Sequence, residues 1–182
     1  MHHPTLQILG YSEAAMYLRR AARPEVAAII SIHGRREFGV EADGVSRLDL
    51  TFDDVDVPVP GDMLGLQIAM SRKRWAEENG LFEVAPASSD AASIIAFARE
   101  IQNISGNVLC HCGGGMSRAP AAALICLAVW RGPDCEADCV AEVFRLRRGA
   151  VPHAGLVRFA DELLGRGGRL VAALAVERSH AR

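Results

Sequence analysis

Apolar and polar positions along the chain follow patterns that predict four strands. Residues 26–33 (VAAIISIH) and 107–111 (NVLCH) are short apolar runs, which are typical of strands buried on both faces of a sheet. Residues 46–52 (SRLDLTF) alternate between apolar and polar side chains, and this period of two predicts a strand with one buried face. Residues 5–10 are predicted to form a fourth, short strand.

Seven further segments are predicted to be helical, most clearly where apolar residues recur at helical spacing. Ser12 is expected to cap the first helix and Pro24 to end that segment, and Ser88, Ser89 and Asp90 form a candidate N-cap cluster for the third. The fourth helix is apolar around almost its whole circumference, so we expect it to be central. The predicted helices cover residues 12–20, 63–78, 90–103, 118–130, 134–147, 153–164 and 168–178.

Strands that alternate with helices indicate an α/β fold. We predict three layers, in which a mainly parallel sheet of four to five strands has helices on both faces. A length of 182 residues is that of one domain, so a single domain is expected over residues 1–182. The pattern is weakest over residues 62–86, which follow an acidic loop that contains two prolines.

Composition excludes several classes of partner. The chain carries 20 Lys and Arg against 22 Asp and Glu, and this balance gives no electrostatic footprint for nucleic acid or an anionic membrane. The longest apolar run, residues 119–130, is shorter than the about 20 residues that span a bilayer. The five cysteines form no C-x-x-C pair, so no zinc site is predicted. We expect a cytoplasmic protein, and the use of arginine over the single Lys73 suggests a GC-rich bacterial genome.

The candidate chemistry lies in residues 108–124, VLCHCGGGMSRAPAAAL. A buried strand leads to Cys112, three glycines follow, and a buried helix begins near Arg118. Glycines allow successive N–H groups to converge on one point, and a helix N-terminus adds its positive dipole end there. The guanidinium of Arg118 can donate to two phosphate oxygens at once. This combination predicts a cradle for a tetrahedral anion, in surroundings that favour the thiolate of Cys112 at its floor.

His111 and Cys112, followed by five residues and Arg118, form an H-C-x5-R motif. The motif resembles the signature of cysteine-dependent protein tyrosine phosphatases, and the form HCGGGMSRA is most similar to the dual-specificity branch of that family. Residues 50–54 (LTFDD) resemble the strand that ends in this branch's general-acid aspartate. Residues 151–153 (VPH) resemble the segment before the family's last core helix.

The resemblance implies a two-step phosphatase mechanism that needs no metal and no other cofactor. Cys112 would attack phosphorus and form a cysteinyl-phosphate, while His111 would order the loop and tune the thiolate. The substrates would be phosphotyrosine and phosphoserine or phosphothreonine on proteins, or a small phosphomonoester, and phosphate, sulfate or vanadate would bind as site anions. The implied phosphate-binding residues are Gly113, Gly114, Gly115, Met116, Ser117 and Arg118.

The resemblance also implies an aspartic acid that protonates the leaving oxygen and then acts as base for the hydrolytic water. Asp54 aligns best with this acid, Asp53 is its close competitor, and Asp56 is a third candidate. Asp54 lies 58 residues before Cys112 (112 − 54), which is longer than is usual for the branch. Residues 55–88 are therefore expected to contain an insertion in the phosphatase domain.

Ala119 departs from the family pattern, which places serine or threonine directly after the arginine. That hydroxyl helps the cysteine sulfur to leave in the second step, so its absence predicts slow turnover unless Ser117 or a water replaces it. One alternative function is therefore a phosphate-binding pseudophosphatase. Another is a rhodanese-like sulfurtransferase, which also uses a cysteine loop, although His111 and the acidic residues 53–54 argue against it.

Arg35 and Arg36 follow the second predicted strand, at the sheet edge where α/β proteins bind ligands. They are candidates for substrate recognition, and an ordinary solvated pair is the alternative. The remaining cysteines are interpreted as packing residues without a redox or metal role. They are Cys110, Cys126, Cys135 and Cys139.

Overall fold

A computed structural model describes residues 3–20 and 25–180 of the chain. Within them, four parallel strands form one sheet in the order β1-β4-β2-β3. The predicted α/β class with a mainly parallel sheet is therefore confirmed. The strands are β1 (Thr5–Gly10), β2 (Val26–His33), β3 (Ser46–Thr51) and β4 (Asn107–Cys112).

Each predicted helix has a counterpart in the described residues, with ends that differ by a few positions. Ser12 does not cap the first helix, because the helix begins at Tyr11 and its N-cap is Gly10, whose N–H donates to Glu13 at 2.7 Å. Asp90 likewise accepts the Ala87 N–H at 2.7 Å, and Pro24 lies outside the described residues. The helices are α1 (Tyr11–Arg19), α2 (Met63–Glu78), α3 (Ser88–Glu100), α4 (Arg118–Arg131), α5 (Glu136–Leu146), α6 (Ala154–Leu163) and α7 (Arg169–His180).

The sheet separates a large core from a small one. Alternate residues of a strand point to opposite faces, so Val108, Cys110 and Cys112 of β4 pack into the large core with α3 to α7. Leu109 packs on the other face, beneath α1. The predicted central helix is α4, which is buried along nearly its whole length. As a result, both elements that flank the glycine-rich turn are fixed by the core.

α2 differs from the other helices because very little of its surface is buried against the rest of the protein. Ala76 is its buried residue, and the side chains that are largely exposed on it include Met63, Leu64, Ile68, Met70 and Trp75. Within residues 3–20 and 25–180, no helix combines the length and the apolar character needed to cross a bilayer.

Candidate functional site

The turn between β4 and α4 forms a compact loop, residues 112–118, which we call the phosphate loop. Gly115 has a φ of 70°, and a Cβ at this position would lie 2.5 Å from the Gly10 backbone nitrogen. Only glycine therefore fits where the loop passes the end of β1. Cys112 is 3% exposed, and its Sγ accepts a hydrogen bond from the Gly115 N–H at 3.2 Å. The loop thus directs a backbone donor at the sulfur.

Arg118 begins α4 and is 6% exposed. Its Nη1 donates to Phe52 O at 3.0 Å, and its Nη2 forms an ion pair with the Glu37 carboxylate at 3.0 Å. Its Nε is buried and has no hydrogen-bond partner among the described residues. A buried donor without a partner is costly, so this N–H is available for an anion bound at the loop.

Glu37 is a site residue that the sequence analysis missed. Its carboxylate binds Arg118, accepts the Gly34 N–H at 2.7 Å, and lies against Gly113 of the phosphate loop. The position of Glu37 in the chain was the one available signal. Glu37 follows β2 at the same sheet edge as Arg35 and Arg36, but a carboxylate beside a predicted anion site gave no reason to select it.

Surrounding elements hold the carbonyl groups of the phosphate loop. Arg147, whose Nη2 donates to a loop carbonyl, also forms an ion pair with Glu13 at 2.8 Å, and this hydrogen-bonded pairing lowers the pKa of Glu13. The conformation of the loop is therefore set by the fold around it. The bonds run from Tyr11 N–H to Gly113 O (3.0 Å), from Arg147 Nη2 to Gly114 O (3.3 Å), from Val151 N–H to Met116 O (2.7 Å) and from His153 N–H to Ser117 O (3.2 Å).

The three candidate aspartates have different surroundings in the acid loop, residues 53–58. Asp54 accepts a hydrogen bond from Ser117 Oγ at 2.7 Å, so the structure brings it to the phosphate loop. Asp53 instead binds Val84: its carboxylate accepts the Val84 N–H at 2.8 Å, and its own N–H donates to Val84 O at 2.7 Å. Asp56 is exposed and lines a cavity beneath α2.

His111 lies under the phosphate loop, on the opposite sheet face from Cys112. It is 1% exposed, and neither ring nitrogen has a partner among the described residues. Burial, with smaller contributions from the charges of Arg47 and His33, lowers the pKa of His111 to about 4. The imidazole is therefore neutral at physiological pH.

Ala119 is fully buried at the start of α4. Ser117, the hydroxyl that could replace the missing one, donates to Asp54 and not to Cys112. The hydrogen bond from Gly115 N–H is thus the contact that the structure gives the cysteine sulfur.

Arg35 and Arg36 lie at the rim of the site. They line a cavity of about 500 Å³ together with Glu37, Asp53 and Phe82, so the cavity adjoins the phosphate loop through Glu37. Arg36 Nη2 donates to Gly80 O at 3.1 Å. The two arginines therefore lie close to the phosphate loop, at the sheet edge where the sequence predicted them.

The comparisons with known proteins concern the fold. No family model and no curated protein matches the chain. Its structure is similar to that of human DUSP28, with a TM-score of 0.52 and 22% identity over 94% of this chain and 95% of that chain. It is also similar to PTPMT1 (TM-score 0.50, 16% identity, 93% and 99% of the two chains) and to PTPMT1 in complex with PI(5)P (0.51, 16%, 90% and 94%). The fold is that of dual-specificity-type protein tyrosine phosphatases, as the H-C-x5-R motif implied.

Proposed function

We propose that the chain is a phosphatase of the dual-specificity type, which hydrolyses phosphomonoesters through a cysteinyl-phosphate. One observation carries the proposal. The Sγ of Cys112 and the unpartnered Nε of Arg118 are both buried at one glycine-rich loop, at the N-terminus of a buried helix. A nucleophile and a cation at an oriented set of backbone N–H groups are the parts that phosphoryl transfer requires.

In the first step, the Cys112 thiolate forms a bond to phosphorus while the bond from phosphorus to the leaving oxygen breaks. Arg118 and the loop N–H groups hold the non-bridging oxygens. Asp54 gives its proton to the leaving oxygen, which departs as an alcohol or phenol. Its position beside Ser117 supports Asp54 over Asp53, whose carboxylate is bound to the Val84 backbone.

In the second step, water attacks phosphorus and the sulfur–phosphorus bond breaks. Asp54, now a carboxylate, accepts a proton from the water, and the electron pair of the broken bond returns to Cys112 as thiolate. Inorganic phosphate is the product. Neither step requires a metal or an organic cofactor.

The proposal extends to substrates, location and domain. The substrates are phosphotyrosine and phosphoserine or phosphothreonine on proteins, or small phosphomonoesters, and phosphate, sulfate or vanadate occupies the same loop. A cytoplasmic location is supported by five free cysteines, four of them buried in the large core. We further propose one phosphatase domain, with an insertion within residues 55–88 that includes the exposed α2.

A pseudophosphatase is the second candidate, because no side-chain hydroxyl contacts the cysteine sulfur in the described residues. Ala119 offers none, and Ser117 is hydrogen-bonded to Asp54. Phosphate would then bind, but the cysteinyl-phosphate would break down slowly. A sulfurtransferase is not favoured, since the fold comparisons give phosphatase-type structures.

A steady-state assay with p-nitrophenyl phosphate tests the function. The wild-type protein is expected to turn over and to be inhibited by vanadate. Cys112→Ser should reduce turnover to background and retain vanadate binding, because the hydroxyl stays protonated in an intact loop. Cys135→Ser, a half-buried cysteine outside the site, should keep full activity.

Each alternative function predicts a different result in this assay or in a sulfur-transfer assay of the same protein. Vanadate binding without steady turnover in the wild type would favour the pseudophosphatase. Transfer of sulfur from thiosulfate to cyanide would favour the sulfurtransferase. Turnover near the wild-type rate in Cys112→Ser would overturn the cysteine mechanism.

A further inference from the structure

Residues 151–158 lie between the phosphate loop and the acid loop and contact both. Two of their backbone N–H groups donate to the phosphate loop, as described above. The ring of His153 reaches the acid loop on the other side. Its Nε2 lies 2.9 Å from Val55 O and 3.9 Å from Asp54 Oδ1. One short segment therefore links the candidate nucleophile to the candidate acid.

The contacts of His153 define its tautomer. Its Nδ1 accepts the Leu156 N–H at 3.2 Å, which caps α6, and an accepting nitrogen carries no proton. The ring proton must then lie on Nε2, which donates to Val55 O. The side chain is 4% exposed, so water does not compete for either bond. His153 thus has two separable roles, as a helix cap through Nδ1 and as a tether of the acid loop through Nε2.

Two further contacts join the first turns of α6 to the acid loop. A Cβ at Gly155 would lie 2.7 Å from Val57 Cβ, so Val57 packs directly against the glycine backbone. Arg158 Nη2 donates to Pro58 O at 3.1 Å. The tether at Val55 is therefore one of three contacts that fix the loop against α6.

We propose that His153 is a positioning residue, which holds the acid loop so that Asp54 lies within reach of the leaving oxygen. The proposal rests on the phosphatase function above. A general acid must come within hydrogen-bond distance of the atom it protonates. A displacement of about 1 Å can cost on the order of a hundredfold in rate. Asp54 is itself half exposed and bound to a flexible hydroxyl, so an anchor on the adjacent backbone is what fixes its position.

The expected signature is a loss that grows with the basicity of the leaving group. Phenyl phosphate, whose phenol has a pKa of about 10 like tyrosine, needs a proton from the acid. p-Nitrophenyl phosphate has a much better leaving group and needs it less. The ratio of kcat/KM for the two substrates reports the first step alone, even where breakdown of the cysteinyl-phosphate limits kcat.

His153→Asn separates the two roles of the side chain. The Oδ1 of asparagine takes the place of Nδ1 and keeps the helix cap, but asparagine has no atom at the position of Nε2. We expect kcat/KM for phenyl phosphate to fall by about ten- to a hundredfold. The value for p-nitrophenyl phosphate should fall by less than about threefold, and vanadate inhibition should be unchanged, because the phosphate loop is intact.

Gly155→Ala tests the same idea without altering the histidine. Its methyl group would displace Val57, and with it the acid loop, so the same leaving-group dependence is expected. This variant decides the matter if His153→Asn fails to fold. Asp161→Asn is the matched control, because Asp161 is also buried and caps the neighbouring α7 through Gly168 N–H and Leu170 N–H. It should lower stability and leave the ratio of the two kcat/KM values unchanged.

Comparison with Asp54→Asn distinguishes a failure of the proposed function from a failure of the inference about His153. If Asp54→Asn shows no leaving-group dependence, the acid assignment of the proposed function is wrong and the inference falls with it. A different outcome is that Asp54→Asn shows the leaving-group dependence while Gly155→Ala and a folded His153→Asn lose activity equally on both substrates. In that case only the positioning role of His153 is overturned. In the double variant of Asp54 and His153, the loss on phenyl phosphate should equal that of Asp54→Asn alone, since residues that act together are not additive.

Discussion

The phosphate loop and the acid loop face each other across the candidate site, but their surroundings differ. The phosphate loop lies between β4 and α4, which are both buried along nearly their whole length. The acid loop follows the edge strand β3 and leads into α2, whose apolar side chains are largely exposed. The core thus fixes the nucleophile directly, whereas the acid loop depends on individual contacts with residues 153–158, with Ser117 and with Val84.

This difference has a consequence for mutations. A substitution in the phosphate loop must be absorbed by a close-packed core, which leaves little room for adjustment. A substitution near the acid loop can shift a few contacts while the fold survives. We therefore expect changes on the acid side to alter rates selectively, and changes beneath the phosphate loop to alter stability as well.

The largest effect that separates the two sides is expected from Asp54→Asn. General acid–base catalysis contributes about 10²–10⁴-fold. We therefore expect kcat/KM for phenyl phosphate to fall by that factor and the basic limb of the pH–rate profile to disappear. Asp53→Asn should cost much less, because Asp53 binds the Val84 backbone. Steady-state kinetics across pH measure both. If Asp53→Asn gives the larger loss, the acid is one residue earlier than proposed.

A second test concerns His111, beneath the phosphate loop. Its pKa is lowered from 6.5 to about 4 by burial, so the unfolded chain binds a proton at a higher pH than the folded one. Stability is fully present above about pH 6.5 and is lost as the pH falls towards 4, by about 3 kcal/mol in total.

Urea unfolding at several pH values, for the wild type and for His111→Asn, isolates this contribution. The variant has no group to titrate at this position, so the difference between the two curves should shrink as the pH falls. Parallel curves would show that His111 is not held neutral by the fold.

The phosphate loop could be predicted from the sequence because its parts are adjacent in the chain. Cys112, the glycines and Arg118 occupy seven consecutive positions, and the apolar patterns of the strand and helix around them are local. The parallel direction of the strands also agrees with the prediction, since strands that alternate with helices favour parallel pairing.

The contacts that hold the two loops could not be predicted to the same depth. Glu37 contacts Arg118 across 81 residues, Ser117 contacts Asp54 across 63, and His153 contacts Val55 across 98. No local pattern encodes such pairs, because they depend on how the finished fold brings edges together. The sequence could therefore name the candidate aspartates but could not show what holds each of them.

A third prediction concerns Glu37, which pairs with Arg118 beside the phosphate loop. Glu37→Gln replaces a charge-assisted ion pair with a neutral hydrogen bond. Because Glu37 is half exposed, we expect the lost interaction free energy to lie at the lower end of the range for hydrogen bonds to charged groups. We expect kcat/KM to fall about tenfold, because Arg118 is less firmly oriented. The carboxylate also repels a phosphate dianion, which would act in the opposite direction. Tighter vanadate inhibition together with a higher kcat/KM would show that repulsion outweighs orientation.

The smallest expected effect belongs to Ala119, directly after the phosphate loop. If sulfur lacks help in leaving, breakdown of the cysteinyl-phosphate limits turnover, so the wild type should show a burst of p-nitrophenol followed by a slow steady rate. Phosphocysteine should then be trapped by an acid quench.

Ala119→Ser should supply a charge-assisted hydrogen bond to the Cys112 sulfur, worth about 1.5–3 kcal/mol where it forms. If half of this is present in the second transition state, the steady rate rises about three- to tenfold and the burst amplitude shrinks. The substitution lies beside the phosphate loop and not at the acid loop, so the ratio of kcat/KM for phenyl and p-nitrophenyl phosphate should not change. An unchanged steady rate, with no burst in the wild type, would show that the first step limits turnover. In that case the acid loop, which acts in the first step, would contain the residue that limits turnover.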